Sequence, residues 1–211
     1  MTMSFAAFVL GGAAWTASEY LIHRFVGHGG KRKQPPTLLG RITPAGLAYE
    51  FNREHLAHHA TPSYFAPTYR KVLAASVAIP VLGAAAAPFV GVRRATSFAL
   101  GFATVYGGYE VVHRFIHTRP PTGPYSRWVR RHHLLHHHKT PRQNHGVTTA
   151  LWDHVFGTND PVERVRIPRH VAPSWMVDAR GAIKPEYADD YEIVGRAAPA
   201  PAVAPPLRLD A

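Results

Sequence analysis

Three stretches of this chain carry no Lys, Arg or His over lengths close to a bilayer: Phe5–Ile22, Val72–Val92 and Thr96–Val112. A membrane-crossing helix needs roughly 20 largely apolar residues, with about 17 as the lower limit. The first stretch opens the chain without a basic n-region, so a cleaved signal peptide is the poorer reading. Pro80 and Pro88 in the second are tolerable where a membrane helix kinks or ends early. Only Arg93–Ala95 separate the second stretch from the third, which predicts a tight helical hairpin. The mean hydropathy of −0.14 hides this blocking, because it averages apolar stretches with strongly polar ones.

Charge placement decides between membrane helices and the buried helices of a soluble protein. The chain has 24 Lys+Arg against 13 Asp+Glu, a formal charge of +11. If all three stretches span, 22 of the 24 basic residues fall on one side and only Arg93 and Arg94 on the other. The positive-inside rule makes that side cytoplasmic, with the N-terminus outside. All 15 histidines fall there too, although histidine played no part in setting the topology. The excess charge therefore belongs to a membrane protein. A nucleic-acid partner is not expected, since no basic stripe interleaved with exposed aromatics accompanies the charge. The absence of cysteine excludes disulfides, thiolate metal sites and cysteine nucleophiles. No GxGxxG or GxxxxGK[ST] motif points to a nucleotide.

The polar remainder divides simply. Lys31–Gly46 is a basic connector punctuated by Pro and Gly. Tyr49–Ala60 and Ser126–Lys139 read as short helices, each halted by a Thr-Pro pair. The expected architecture is thus all-α: a multi-pass membrane helical bundle with a cytoplasmic helical cap. Residues 1–158 form the membrane domain, 159–196 a loosely packed cytoplasmic extension, and 197–211 a disordered Pro/Ala-rich tail.

Four histidine clusters carry the chemistry: His23 and His28; His55, His58 and His59; His113 and His117; and His133, His136 and His137. At ~100° per residue, positions i, i+3 and i+4 share a helix face, so each HxxHH triplet is expected to converge on one point. His113 and His117 converge likewise. His23 and His28 lie about 140° apart on an ideal helix, and are expected to meet only if the helix ends or bends near Gly27. Ten imidazoles without thiolates suit two ions of Fe, Zn, Cu, Ni or Co, and suit Ca or Mg poorly. Glu19 and Glu110 lie one turn before His23 and His113, placed to accept the second ring N–H of a ligand. His132, His138, His145, His154 and His170 read mainly as ordinary polar residues, with His132 as an alternate ligand. A membrane metal-binding or transport protein is the rival of another class. It predicts ionisable ligands along a path through the bilayer, not crowded at one face.

The order H-x4-H, H-x2-HH, H-x3-H, H-x2-HH resembles the integral-membrane di-iron fatty acid hydroxylase superfamily, which includes sterol desaturases and carotenoid hydroxylases. Glu19-Tyr20-x-x-His23-Arg24 and the late segment Asn144-His145-Gly146-Val147-Thr148 with Trp152-Asp153-His154-Val155-Phe156-Gly157-Thr158 are also similar to it. The likeness covers about residues 15–160 and looks closest to fatty acid hydroxylases. It implies that the ten clustered histidines are metal ligands and that Glu110 stands where the family has an acidic residue. It further implies two iron ions (zinc readily occupying such sites after purification), O2 as co-substrate and a lipid acyl chain as substrate. Electrons would come from a separate donor, a ferredoxin or a b-type cytochrome with its reductase. The segment Ala60-Thr61-Pro62-Ser63-Tyr64-Phe65 is not the acidic version expected of carotenoid hydroxylases. Phe98, Phe102, Tyr106 and Tyr109 are candidates to line the substrate path. Carotenoid hydroxylation and sterol or lipid desaturation are the alternatives within the superfamily.

Overall fold

A computed structural model describes residues 2–161 and 164–195; the expected Pro/Ala tail, 197–211, lies outside the described residues. The chain runs through helices α1 (Phe5–Leu21), α2 (Leu38–Arg41), α3 (Pro44–Ala60), α4 (Thr68–Val90), α5 (Val92–Thr118), α6 (Pro124–His138) and α7 (Leu151–Val155). Strands β1 (Val165–Pro168) and β2 (Tyr191–Val194) follow. Six residues after α1, Ile22–Gly27, continue the helix as a π turn.

Two of the described helices are long and apolar enough to cross a membrane, Phe5–Gly27 and Thr68–Val90, each 23 residues. α4 buries none of its apolar window inside the protein, unlike the core helix of a soluble domain. It displays Val72, Leu73, Val77, Val81 and Phe89 outward, a face that requires an apolar surrounding. The third expected span lies within α5 but is not among the two. Thr, Tyr and Gly dilute its apolar character, and Glu110 interrupts it. The predicted hairpin is present. It turns at Gly91, whose φ of 81° places it in the left-handed region that glycine tolerates.

α1 and α5 pack along their lengths with almost no gap. A Cβ added at Gly101 would lie 1.9 Å from the Phe8 carbonyl oxygen, and one at Gly11 would lie 2.0 Å from that of Phe98. Small residues that let backbones touch are the usual means of joining helices in an apolar medium. Trp15 then fills the space below, against the rings of Phe102, Tyr106 and Tyr109.

The extension, expected to be loosely packed in an all-α chain, instead carries two strands and a shared core. β1 and β2 pair in parallel, Val165 opposite Tyr191 and Ile167 opposite Ile193. Val165, Ile167, Trp175, Met176 and Tyr191 form one core with Ile116 of α5 and Val129, Leu134 and Leu135 of α6. Arg130 locks the same joint. Its guanidinium donates to the Phe115 carbonyl (2.9 Å) and the Arg119 carbonyl (3.0 Å) at the end of α5. Cationic donors suit the carbonyl end of a helix. The hydrophobic pattern that would reveal the extension is split between β1 and β2, more than twenty residues apart, which is why the linear sequence hides it.

Candidate metal centre

The π turn solves the geometry of the first histidine pair. The His28 amide donates to the His23 carbonyl five residues back (3.1 Å), and the wider turn brings the two rings to 5.2 Å between centroids. π turns recur at functional sites because they re-aim side chains without ending a helix. Gly27 serves another purpose than the expected bend: a Cβ there would lie 2.8 Å from the His55 ring. Asn52 of α3, nearly fully buried, donates to the Val26 (3.1 Å) and Gly27 (2.8 Å) carbonyls at the end of the π turn. It ties the π turn to the helix that carries the second cluster.

The ten clustered histidines form two groups of five. One holds His23, His28, His55, His59 and His136; the other holds His58, His113, His117, His133 and His137. Within each group the nearest ring nitrogens all lie within 4.8 Å of one another. This corrects the expectation that each HxxHH triplet converges on one point. The i and i+4 residues of each triplet go together, His55 with His59 and His133 with His137. The i+3 residues, His58 and His136, aim at the other group, because i+3 and i+4 are ~100° apart on the helix. Each triplet therefore serves both groups. The groups abut where the His59 and His137 rings stack at 4.0 Å.

Backbone carbonyls set the ring protonation. His58 Nδ1 donates to the Tyr64 carbonyl (2.7 Å), His136 Nδ1 to the Gln143 carbonyl (2.7 Å), and His23 Nδ1 to the His145 carbonyl. A carbonyl can only accept, so the proton sits on Nδ1 and each Nε2 keeps its lone pair for the group. His23 Nε2, His58 Nε2 and His113 Nε2 are buried with no hydrogen-bond partner among the described residues. Elsewhere Nε2 atoms crowd one another, His28 with His55 at 2.8 Å and His133 with His137 at 3.0 Å. A spread of up to 4.8 Å lies close to the ~4.2 Å that two imidazole nitrogens at ~2.1 Å from one first-row ion could span. The donor set and its spread thus fit two imidazole-bound ions. Burial pushes His28 and His58 down to about 4, and burial with the neighbouring imidazoles pushes His59 to about 2. Burial likewise holds His55, His117, His133, His136 and His137 well below the usual histidine range. Neutral imidazole is the form that ligates.

The carboxylates sit elsewhere than expected. Glu19 accepts the Val147 amide at Oε1 (2.8 Å), and Glu110 pairs with Lys71 (2.5 Å). The organising acid is instead Asp153, fully buried on α7. Its Oδ1 accepts the His145 amide (2.8 Å) and the Thr158 hydroxyl (2.8 Å); Oδ2 accepts the Gly146 amide (2.9 Å) and His132 Nε2 (3.3 Å). Burial alone would raise this carboxyl, but the four donors together hold it below the usual range. Asp153 thereby shapes the loop whose His145 carbonyl orients His23. His132 spends its ring on Asp153 and lies outside both groups, as do His138, His145, His154 and His170.

A cavity of about 1010 Å³ opens beside the histidines. His23, His55, His58, His113 and His133 form one wall, and Trp15, Ala74, Ala78, Ile79 and Phe102 continue it between α1, α4 and α5. Three of the four aromatics expected on a substrate path, Phe102, Tyr106 and Tyr109, line it; Phe98 does not.

Known proteins resemble this chain in sequence and in fold. The chain is 29% identical over 157 residues to the dihydroceramide fatty acyl 2-hydroxylase FAH1 of Arabidopsis thaliana, covering 71% of this chain and 59% of that protein. It is 29% identical over 167 residues to the ceramide very long chain fatty acid hydroxylase scs7 of Schizosaccharomyces pombe, covering 74% and 42%. A solved structure described as full-length scs7p, with only its hydroxylase domain visible, aligns at a TM-score of 0.56 and 25% identity, over 74% of this chain and 56% of that one. The chain thus spans only part of the length of these relatives. A model of the fatty acid hydroxylase family matches residues 8–158. That stretch runs from the first turn of α1 to Thr158, taking in both histidine groups and the Asp153 loop, and on it the chain belongs to the fatty acid hydroxylase family.

Proposed function

We propose that this chain is a membrane-bound, O2-dependent hydroxylase of a lipid acyl chain, holding two iron ions and drawing electrons from a separate donor. The observation that carries this reading is the junction of two five-imidazole groups with an apolar cavity. Bound iron would supply the one capability that side chains lack, activation of O2 for attack on an unactivated C–H bond. In the balanced reaction one oxygen atom enters that C–H bond and the other leaves as water, with two electrons and two protons delivered from outside.

The chain's own residues account for the rest. His23, His28, His55, His59 and His136 would hold one ion, and His58, His113, His117, His133 and His137 the other. Asp153 and the carbonyls of Tyr64, Gln143 and His145 keep the Nε2 lone pairs aimed inward. Ala74, Ala78, Ile79 and Phe102 exclude water from the path of the chain. α1, α4 and the apolar part of α5 would span the membrane with the histidine groups on the cytoplasmic face, where 22 of the 24 basic residues gather. The names of the relatives favour hydroxylation over desaturation and acyl lipids over carotenoids.

The test is lipid analysis of an aerobic host expressing the chain with a competent electron donor. Hydroxylated acyl chains are expected with the native chain and with His154→Ala, an exposed control, and are expected to vanish with His136→Ala. An unchanged lipid profile with iron-loaded native protein contradicts the reading, and a new double bond without a hydroxyl moves it to desaturation.

A further inference from the structure

Along α4 and α5 the cavity wall is alanine, isoleucine and aromatic rings, Tyr106 and Tyr109 among them, until it reaches one ion pair, whose Glu110 also hydrogen-bonds Tyr106. Lys71 Nζ and Glu110 Oε2 meet at 2.5 Å across the two helices, and both side chains line the cavity together with His58 and His113. On one side of the pair, Ala74, Ala78 and Ile79 ascend α4, and Phe102 faces them from α5. Eight residues separate Lys71 from Ile79 and Phe102 from Glu110, so this apolar limb is about 12 Å long. The rest of the lining carries charge, with Arg41, Glu50, Arg53, Glu54 and Arg70, of which Arg53 and Arg70 pair with Glu50 and Glu54. The pair thus marks the boundary of the apolar limb. Glu110 also precedes His113 by three residues, about 4.5 Å along the helix axis, which places the boundary beside the second histidine group.

Chemistry narrows what that boundary recognises. An ammonium has three N–H donors, and one serves Glu110, so Lys71 keeps two for another acceptor. The pair is neutral as a unit. A free carboxylate drawn to Lys71 would be repelled by Glu110 beside it, whereas a carbonyl accepts from Lys71 without that penalty. We propose that Lys71 and Glu110 are a positioning pair: they hold the neutral carbonyl linkage of an acyl lipid, ester or amide, with its chain in the apolar limb. The C–H bond presented to the second histidine group is then the one next to that linkage. The proposal rests on the hydroxylase reading above for its chemistry and on the cavity for its geometry.

The experiment compares native protein with Lys71→Met and Glu110→Gln, all loaded with iron, on chain-matched amide, ester and free-acid substrates. Three quantities are read: hydroxyl position by mass spectrometry, KM, and lipid retained by the protein in native mass spectrometry. Native protein is expected to hydroxylate beside the carbonyl and to prefer the amide or ester over the free acid. Lys71→Met is expected to keep its iron, raise KM at least tenfold, retain less lipid and scatter the hydroxyl along the chain. Glu110→Gln is expected to lose most of the discrimination against the free acid. A pair that merely neutralises its own charges would lower stability but leave hydroxyl position unmoved. The proposal is overturned if Lys71→Met keeps native hydroxyl position and lipid retention. Should iron-loaded native protein hydroxylate nothing, the functional reading fails by itself, and lipid retention alone still decides the positioning role.

Discussion

Asp153 illustrates how a residue far from the ligand set can govern it. Its two oxygens accept from the His145 and Gly146 amides, Thr158 and His132, and the loop they shape presents the carbonyl that orients His23. Partners of this kind are typically worth 10–100-fold in metal affinity. Asp153→Asn keeps the shape but turns an acceptor into a donor facing donors. Chelator competition is expected to show metal affinity lowered about 10-fold or more, with His154→Ala unchanged; equal affinities would remove Asp153 from the site. The histidines themselves were legible because imidazole spacing is written in the sequence. The atoms that orient His23, His58 and His136 were not, because they are backbone carbonyls, which every residue possesses. Glu19 and Glu110 drew attention by lying one turn from a ligand, yet each had a nearer partner in Val147 and Lys71.

Among the elements, helix periodicity located α3 and α6 to within a few residues, and the Thr-Pro stops placed their ends. It did not reveal which way each histidine turns, since i+3 and i+4 share a face broadly but point to different centres. Nor did it reveal the π turn, whose last carbonyls accept from Asn52 on another helix. The α1–α5 joint follows from Gly11 and Gly101, where the backbones leave no room for a side chain. Because His23 rides on one helix and His113 on the other, the joint sets the spacing between the histidine groups. Gly101→Leu is expected to force the helices apart, with an overpacking cost of about 3 kcal/mol. Thermal unfolding in detergent checks this, and a native midpoint for the variant would show that the close approach is dispensable.

At the scale of the whole molecule, segregation of charge was readable early: 22 of the 24 Lys and Arg and every histidine lie outside the three apolar stretches and the short Arg93–Ala95 link. The extension escaped notice because its core residues pair across long sequence separations and its strands are four residues each. Its packing on α6 holds His133, His136 and His137 against the helices that bear the other ligands. The account as a whole depends on two centres that each draw on three of the four histidine clusters. Iron stoichiometry in protein purified without oxygen tests that most directly. About two ions per native chain are expected, falling to about one when either His28 or His117 is changed to Ala, since each serves a single group. One ion or none in the native chain, or the same iron content in both variants as in the native protein, would contradict it.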